Sequence, residues 1–219
     1  MLTLAIDTAT SAVAVAVHRP GSEPVRAVEV DPRGHTELLA PLVQRALRAA
    51  GAVPADLTDV AVGTGPGPFT GLRVGLVTAV TTGYALGVPV HGVCSLDVLA
   101  EQGFAATDAQ ELLVATDARR REVYWARYGR GPDGARPLSA PAVEAAEHIP
   151  AALRRLPVAG RGALLYPDAL PGGLDVLDVD PAVLARVAQR RVAAGVPTPV
   201  EPRYLRRPDA LTTAERASR

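Results

Sequence analysis

Leu2 to Ile6 is a short alternating run, and Ala12 to Val17 is another, a period of two that predicts two strands. Asp7-Thr8-Ala9-Thr10-Ser11 lies between them and, being small and polar, reads as a hairpin turn. Val25 to Val30, after the turn signal Arg19-Pro20-Gly21-Ser22, is a third strand. The period then changes. Leu38, Leu39, Leu42, Val43, Ala46, Leu47 and Ala50 recur at helical spacing with Gln44, Arg45 and Arg48 opposite, and Gly51 ends the pattern. Pro41 lacks an N–H, so a kink or a late helix start is expected there. Asp59 to Gly63 reads as a buried strand, and Gly63-Thr64-Gly65-Pro66-Gly67-Pro68 as a tight loop. A helix from about Thr70 to Leu86 comes next, closed by Gly87-Val88-Pro89. Val88 to Val93 is a strand, and Leu96 to Gln102 begins a helix.

Residues 1–100 thus read β-β-β-α-β-α-β, a meander joined to a parallel crossover. The pattern restarts with strands at Leu112 to Thr116 and Glu122 to Tyr128 around the turn Asp117-Ala118-Arg119. Gly131-Pro132-Asp133-Gly134 is a further turn signal. Ala142 to Leu156 reads as mostly helical around Pro150, Pro157 to Gly160 and Asp175 to Val179 as strands, and Pro181 introduces a helix, Ala182 to Ala194. A strand pair around an Asp-Thr or Asp-Ala turn therefore occurs twice. Two β-β-β-α units in one chain are the plan of the actin-like (ribonuclease H-like) α/β fold. The expected division is a first lobe at 1–100 and a smaller second lobe at 101–206, whose last helix is free to return to the first. Residues 207–219 read as a frayed tail.

Composition narrows the chemistry. The 23 basic and 23 acidic residues cancel, so no global field draws the chain towards nucleic acid or a membrane. Every basic residue is Arg and the chain has no Lys or Asn, a bias that looks like GC-rich codon usage. Arg154–Arg155 and Arg190–Arg191 accordingly read as solvated helix faces. The core must be built from Ala, Val and Leu, because aromatics make up only 4%. Cys94 is the only cysteine and reads as a buried, inert thiol. Val74 to Leu86, the longest nearly apolar run, falls short of the ~20 residues of a membrane span. With no basic segment ahead of Leu2, a cytoplasmic protein is expected.

The Gly-rich loop fails two phosphate templates. A P-loop requires a Lys, which this chain lacks, and the dinucleotide fingerprint would put its third glycine at Pro68 or Thr70. The loop is then either an anion cradle ahead of a helix or a tight strand-to-helix connection. The Asp7 turn is similarly open: in actin-like ATPases such a hairpin supplies an Asp for Mg²⁺ and hydroxyls for phosphate, yet hairpin turns contain these residues anyway. On the helix beyond the loop, Gly71, Gly75, Ala79 and Gly83 recur every fourth residue. Glycine in a helix costs about 1 kcal/mol relative to Ala, so the stripe implies a close neighbour, either the Leu38–Ala50 helix or another protein. His18, His35, His91 and His148 form no helical metal pair, and His35 reads as a capping or surface residue.

Several stretches carry a resemblance that runs from the first strand almost to the end. They include Leu4-Ala5-Ile6-Asp7-Thr8-Ala9-Thr10, His35-Thr36-Glu37-Leu38-Leu39-Ala40-Pro41 and Val62-Gly63-Thr64-Gly65-Pro66-Gly67-Pro68-Phe69-Thr70-Gly71-Leu72-Arg73. Gly87-Val88-Pro89-Val90, Ser95-Leu96, Asp117-Ala118-Arg119 with Glu122-Val123-Tyr124-Trp125, and Pro202-Arg203-Tyr204-Leu205-Arg206 continue it. Together they resemble the TsaB (YeaZ) family, the dimerisation subunit of the bacterial tRNA threonylcarbamoyladenosine-forming complex. Arg120-Arg121 departs from the family, which more often has an apolar and a small residue there. The resemblance implies an actin-like fold without catalysis, a paralogue of the glycoprotease-like transferase TsaD. The transferase's metal-binding histidines would fall near Ser95 and Leu99, neither of which replaces an imidazole. It implies vestigial phosphate loops at Asp7, Thr8, Thr10, Gly65 and Gly67, no resident metal or cofactor, and nucleotide only at a lobe or complex boundary. A partner face on the first two helices is implied at Leu38, Leu39, Leu42, Gly71, Val74, Gly75, Thr78 and Ala79. The expected partners are TsaD and the ATPase subunit TsaE, with a homodimer when alone and indirect or weak tRNA contact. The competing readings are a stand-alone actin-like ATPase or small-molecule kinase, and a metallopeptidase, against which the missing histidines argue.

Overall fold

The computed structural model describes residues 1–206. The expected frayed tail at 207–219 lies outside the described residues. Strands β1 (Thr3–Asp7), β2 (Ala12–His18) and β3 (Val25–Val30) form the antiparallel meander, and β4 (Asp59–Gly63) and β5 (Val90–Val93) add in parallel. The resulting order, β3-β2-β1-β4-β5, is the mixed sheet of the actin-like fold. A second sheet is built from β6 (Glu111–Asp117), β7 (Glu122–Gly131), β8 (Gly134–Pro137), β9 (Ala142–Ala145) and β10 (Val158–Ala159). β6 and β7 pair antiparallel, β10 joins β6 in parallel, and β8 and β9 share the other edge of β7. The sequence repeat is thus a structural one: β10-β6-β7 repeats β4-β1-β2.

Side-chain size sorts the two faces of the first sheet. Leu4, Ile6, Val13, Val15, Val17, Val60 and Val62 pack under α1 (His35–Ala49) and α2 (Phe69–Leu86). Ala5, Ala16 and Ala61 point to the opposite face and let α5 (Pro181–Ala193) settle close to the sheet. α5 joins α3 (Ser95–Ala106) in one apolar cluster with Leu112, Val114, Ala126 and Tyr128 of the second sheet. The two helices therefore fuse the sheets through a shared core. A third cluster, around Leu113, Trp125, Ile149 and Leu170, lies on the other face of the second sheet. α4 (Gly162–Leu165) is a single turn beside it. No helix among the described residues is long and apolar enough to cross a membrane.

Three local expectations are corrected. Ala142 to Leu156 is not a helix but β9 followed by 3-10 turns at Ala146–His148 and Leu153–Arg155. The ten-residue β7 outruns β8 and offers free edge to Ala142–Ala145, while Pro150 separates the two 3-10 turns and keeps them from merging into a helix. Asp175 to Val179 is irregular; the nearest pairing is an isolated bridge between Val158 and Gly173. α1 starts at His35 and runs through Pro41, which sits on the exposed side where its missing N–H costs least.

Leu99, fully buried in the shared core, reports on the fusion of the sheets. Leu99→Ala is expected to cost about 2–5 kcal/mol in urea denaturation, against less than about 0.5 kcal/mol for Leu164→Ala on the surface.

Candidate functional site

β1 ends in Asp7, whose carboxylate is fully buried. Oδ1 accepts the Ala9 N–H at 2.9 Å and Oδ2 accepts the Ser95 hydroxyl at 2.6 Å. Ser95 in turn accepts the Gly65 N–H at 3.2 Å, so the first residue of α3 ties the turn to the Gly-rich loop. Gly63 leaves no space beside the carboxylate, since a Cβ there would stand 1.8 Å from Oδ2. Burial pushes the Asp7 acid up to about 6, although the Ser95 and Ala9 hydrogen bonds pull the other way. Both oxygens are engaged and sealed from solvent, which does not fit a Mg²⁺ ligand.

Thr8 is the next residue, and its hydroxyl enters α2. It donates to the Gly71 carbonyl at 2.7 Å and accepts the Gly75 N–H at 3.0 Å, bridging two backbone groups one helical turn apart. This approach explains the small-residue stripe. A Cβ on Gly75 would lie 2.4 Å from Thr8 Oγ1, and one on Gly71 would lie 2.9 Å from the Thr8 carbonyl. Gly83 faces β5 in the same way, with Val90 Cγ2 at 2.2 Å from the added carbon. The close neighbours of the stripe lie within the chain: Thr8 at the end of β1 and Val90 of β5, with His35 at the start of α1 beside Gly71.

The loop glycines have the same explanation. Gly65 takes a left-handed φ of 84°, and Gly67 lies against the backbone of Ala9, whose carbonyl would be 2.4 Å from a Cβ. The Gly-rich loop and the Asp7 turn thus pack on each other where an anion would sit. Thr10 is buried, and its carbonyl contacts His35 Nε2 at 3.1 Å. His35 is consequently a buried residue beside Gly71, which corrects its reading as a cap or surface residue. The helix cap is Gly34.

The Asp7 turn faces the equivalent turn of the second sheet across a cavity of about 10 Å³. That is space on the scale of one water, where a nucleotide pocket needs ~300–1,000 Å³. Thr10, Ser11 and Pro68 form one wall, and Asp117, Arg119, Arg161 and Asp178 the other. Arg161 closes it with a 2.5 Å ion pair to Asp178, and Arg119 pairs with Asp117 at 3.1 Å. Arg119, Arg120 and Arg121 all adopt left-handed φ, at 62°, 54° and 64°. The fold's nucleotide position does not fit a nucleotide in this arrangement.

The sequence-derived partner face divides in two. Leu39, Leu42, Gly71, Gly75 and Ala79 are buried inside the chain and present nothing to a partner, which corrects their assignment. Leu38, Val74 and Thr78 are half-buried. The outward residues of α2 are Arg73, Val77, Val80, Thr81 and Tyr84, with Val77 63% and Tyr84 90% exposed. Two apolar grooves flank them. One of about 490 Å³ runs between α2 and α1 past Val43, Leu47 and Thr78. The other, about 430 Å³, lies between α2 and Val200, Pro202 and Tyr204. Arg73 stacks over Phe69, 3.6 Å from the ring centroid, and donates to the Tyr204 hydroxyl at 3.0 Å, which fixes this rim. Val77 and Val80 are visible in the sequence as a further apolar side of α2, since a helix apolar all round has an outer face as well as a buried one.

Fold and site together define an actin-like α/β protein whose phosphate-side loops are closed on each other and whose α2 exposes an apolar ridge. Residues 29–153 match the family model described as TsaD, tRNA N6-adenosine threonylcarbamoyltransferase. An uncharacterised protein of Mycobacterium tuberculosis is 47% identical over 214 residues, 96% of this chain and 94% of the relative. The tRNA threonylcarbamoyladenosine biosynthesis protein TsaB of Escherichia coli is 41% identical over 136 residues, 61% of this chain and 58% of that protein. YeaZ from Pseudomonas aeruginosa superposes with a TM-score of 0.80 at 31% identity, over 93% of this chain and 99% of that one. The chain belongs to the TsaB (YeaZ) family.

Two outcomes test the sealed turn. Thr8→Val leaves the Gly71 carbonyl and Gly75 N–H buried without the hydroxyl; a loss of roughly 1–3 kcal/mol is expected in denaturant titration, largely restored by Thr8→Ser. Asp7 acts through pH. Its folded-state acid titrates near 6 rather than 3.8, so below pH about 4 both folded and unfolded chains hold the proton and its contribution is intact. As pH rises towards 6 the unfolded chain releases the proton first, and stability falls by on the order of 2–3 kcal/mol. Asp7→Asn should remove that decline from a stability–pH profile; an unchanged profile refutes the assignment.

Proposed function

We propose that this chain is a non-catalytic subunit that binds and stabilises the paralogous transferase TsaD for tRNA N6-threonylcarbamoyladenosine formation. The observation that carries the reading is the exposed ridge of α2, Val77, Val80, Thr81 and Tyr84, set between two apolar grooves. A contiguous apolar surface of this kind is costly to leave in water and suits a helix-on-helix interface. The half-buried Thr78 lines one of these grooves, and the half-buried Leu38 and Val74 belong to the same two helices. The same face pairs two copies of this chain when the transferase is absent, and the ATPase subunit TsaE and tRNA are met through the assembled complex. Supporting the absence of catalysis, Asp7 is sealed, Ser95 is spent on Asp7, and Leu99 lies in the apolar core. A stand-alone ATPase or kinase would need the closed cleft to open, and sustained ATP turnover by the purified chain would overturn the proposal.

The interface is tested by co-purification with the transferase of the same organism. Val77→Arg and Val80→Glu should each weaken association at least about tenfold while melting temperature stays near that of the unmodified chain. Gly75→Arg should instead unfold the chain, because its Cβ already meets Thr8. If association survives both outward substitutions, the face is wrongly placed.

A further inference from the structure

A separate cavity of about 470 Å³ opens between the first turn of α3, β7, the β8–β9 connection and the segment after α5. Asp97 and Tyr128 form its polar floor. Asp97 Oδ1 accepts the Tyr128 hydroxyl at 2.7 Å and Oδ2 accepts Arg191 Nη2 at 2.7 Å. The carboxylate is therefore matched by Arg191 before any other cation is counted. Arg203 is that other cation. Its backbone N–H is held by the Thr64 carbonyl at 2.9 Å, which delivers the side chain to the cavity rim. Its charge acts on Cys94 and Tyr128, yet among the described residues its guanidinium makes no ion pair or side-chain hydrogen bond. Leu138, Ala140 and the flanking prolines supply an apolar wall. The Cys94 thiol offers no nucleophile here, because burial pushes it up to about 12.

An open, apolar-sided cavity whose rim carries the exposed, surplus Arg203 guanidinium matches an oxyanion on an apolar body. We propose that this cavity binds a small organic anion, a carboxylate or phosphate monoester, with Arg203 gripping the oxyanion and the body lying against Leu138 and Ala140. The Asp97 carboxylate on the floor repels a second anion and so keeps the charged end at the rim. The site is distinct from the α2 face and does not depend on the partner reading.

Isothermal titration of the full chain with phenyl phosphate, benzoate and neutral benzamide tests this. Saturable binding of at least one anion is expected, without binding of benzamide; the anion that binds identifies the oxyanion. Arg203→Gln should weaken that binding by about tenfold or more, and Ala140→Phe, which fills the mouth from an exposed position, should do likewise. The melting temperatures of both variants should match that of the unmodified chain. No saturation by either anion up to about 10 mM, equal binding of benzamide, or binding unchanged in Arg203→Gln would each overturn the proposal.

Discussion

The close approach of β1 to α2 governs much of the molecule. Thr8 can reach the backbone of α2 only because Gly71 and Gly75 have no side chains, and its hydroxyl then bonds the Gly71 carbonyl and the Gly75 N–H. The cost of glycine in a helix, about 1 kcal/mol each, is offset by burying the strand end against the helix with its polar groups satisfied. Once α2 is pinned there, its Gly71–Gly75–Ala79–Gly83 side faces the sheet. Val77, Val80 and Tyr84 are then turned outward by the helical period. The buried stripe and the exposed ridge are two consequences of one contact.

That contact also decides the fate of the phosphate loops. With Thr8 inside α2, Ala9 lies on Gly67 and Asp7 is pressed against Gly63 and Ser95. Burial makes the Asp7 acid titrate near 6, and hydrogen bonds occupy both of its oxygens. The ion pairs Arg161–Asp178 and Arg119–Asp117 fill the opposite wall. The two hairpins face each other with space on the scale of one water between them.

The fold was legible because the first two strands alternate and the turns carry their own residues. β1 and β2 follow the period-two pattern, β6 is a short apolar run bounded by turn residues, and the Asp7 and Asp117 turns repeat. What was not legible depends on partners distant in sequence. Ala142–Ala145 has an ambiguous local pattern, and only the spare edge of β7 makes it a strand. The glycine stripe was visible and its demand for a close neighbour was sound, but the chain alone does not say that Thr8 is that neighbour, 63 residues from Gly71. His35 does start α1, but its position in sequence does not reveal that it is buried, since the burial comes from Thr10 and Gly71. Val77 and Val80 read as a further apolar side of α2, but they are as apolar as the buried residues between them, and composition cannot distinguish a buried face from an exposed one.

The segment after α5 joins these parts into one unit. Thr198 accepts the Gly92 N–H through its carbonyl at 3.0 Å and its hydroxyl contacts His91 Nδ1 at 3.0 Å, so the segment covers the edge strand β5. Gly92 permits this, since a Cβ would meet the Pro199 carbonyl at 2.2 Å. Arg203 then bonds the Gly-rich loop at Thr64, Tyr204 packs on Phe69 of α2, and Arg206 reaches the Ala118 carbonyl and Glu122 at the β6–β7 turn. The short stretch from Arg203 to Arg206 thus touches the loop, the exposed helix and the second sheet. A partner seated on α2 would press on Tyr204, and Tyr204 is adjacent to Arg203, the cation at the rim of the Asp97 cavity. The Arg203 N–H on the Thr64 carbonyl fixes the chain immediately before Tyr204, so the α2 rim and the Asp97 cavity are both built on a segment anchored to the Gly-rich loop.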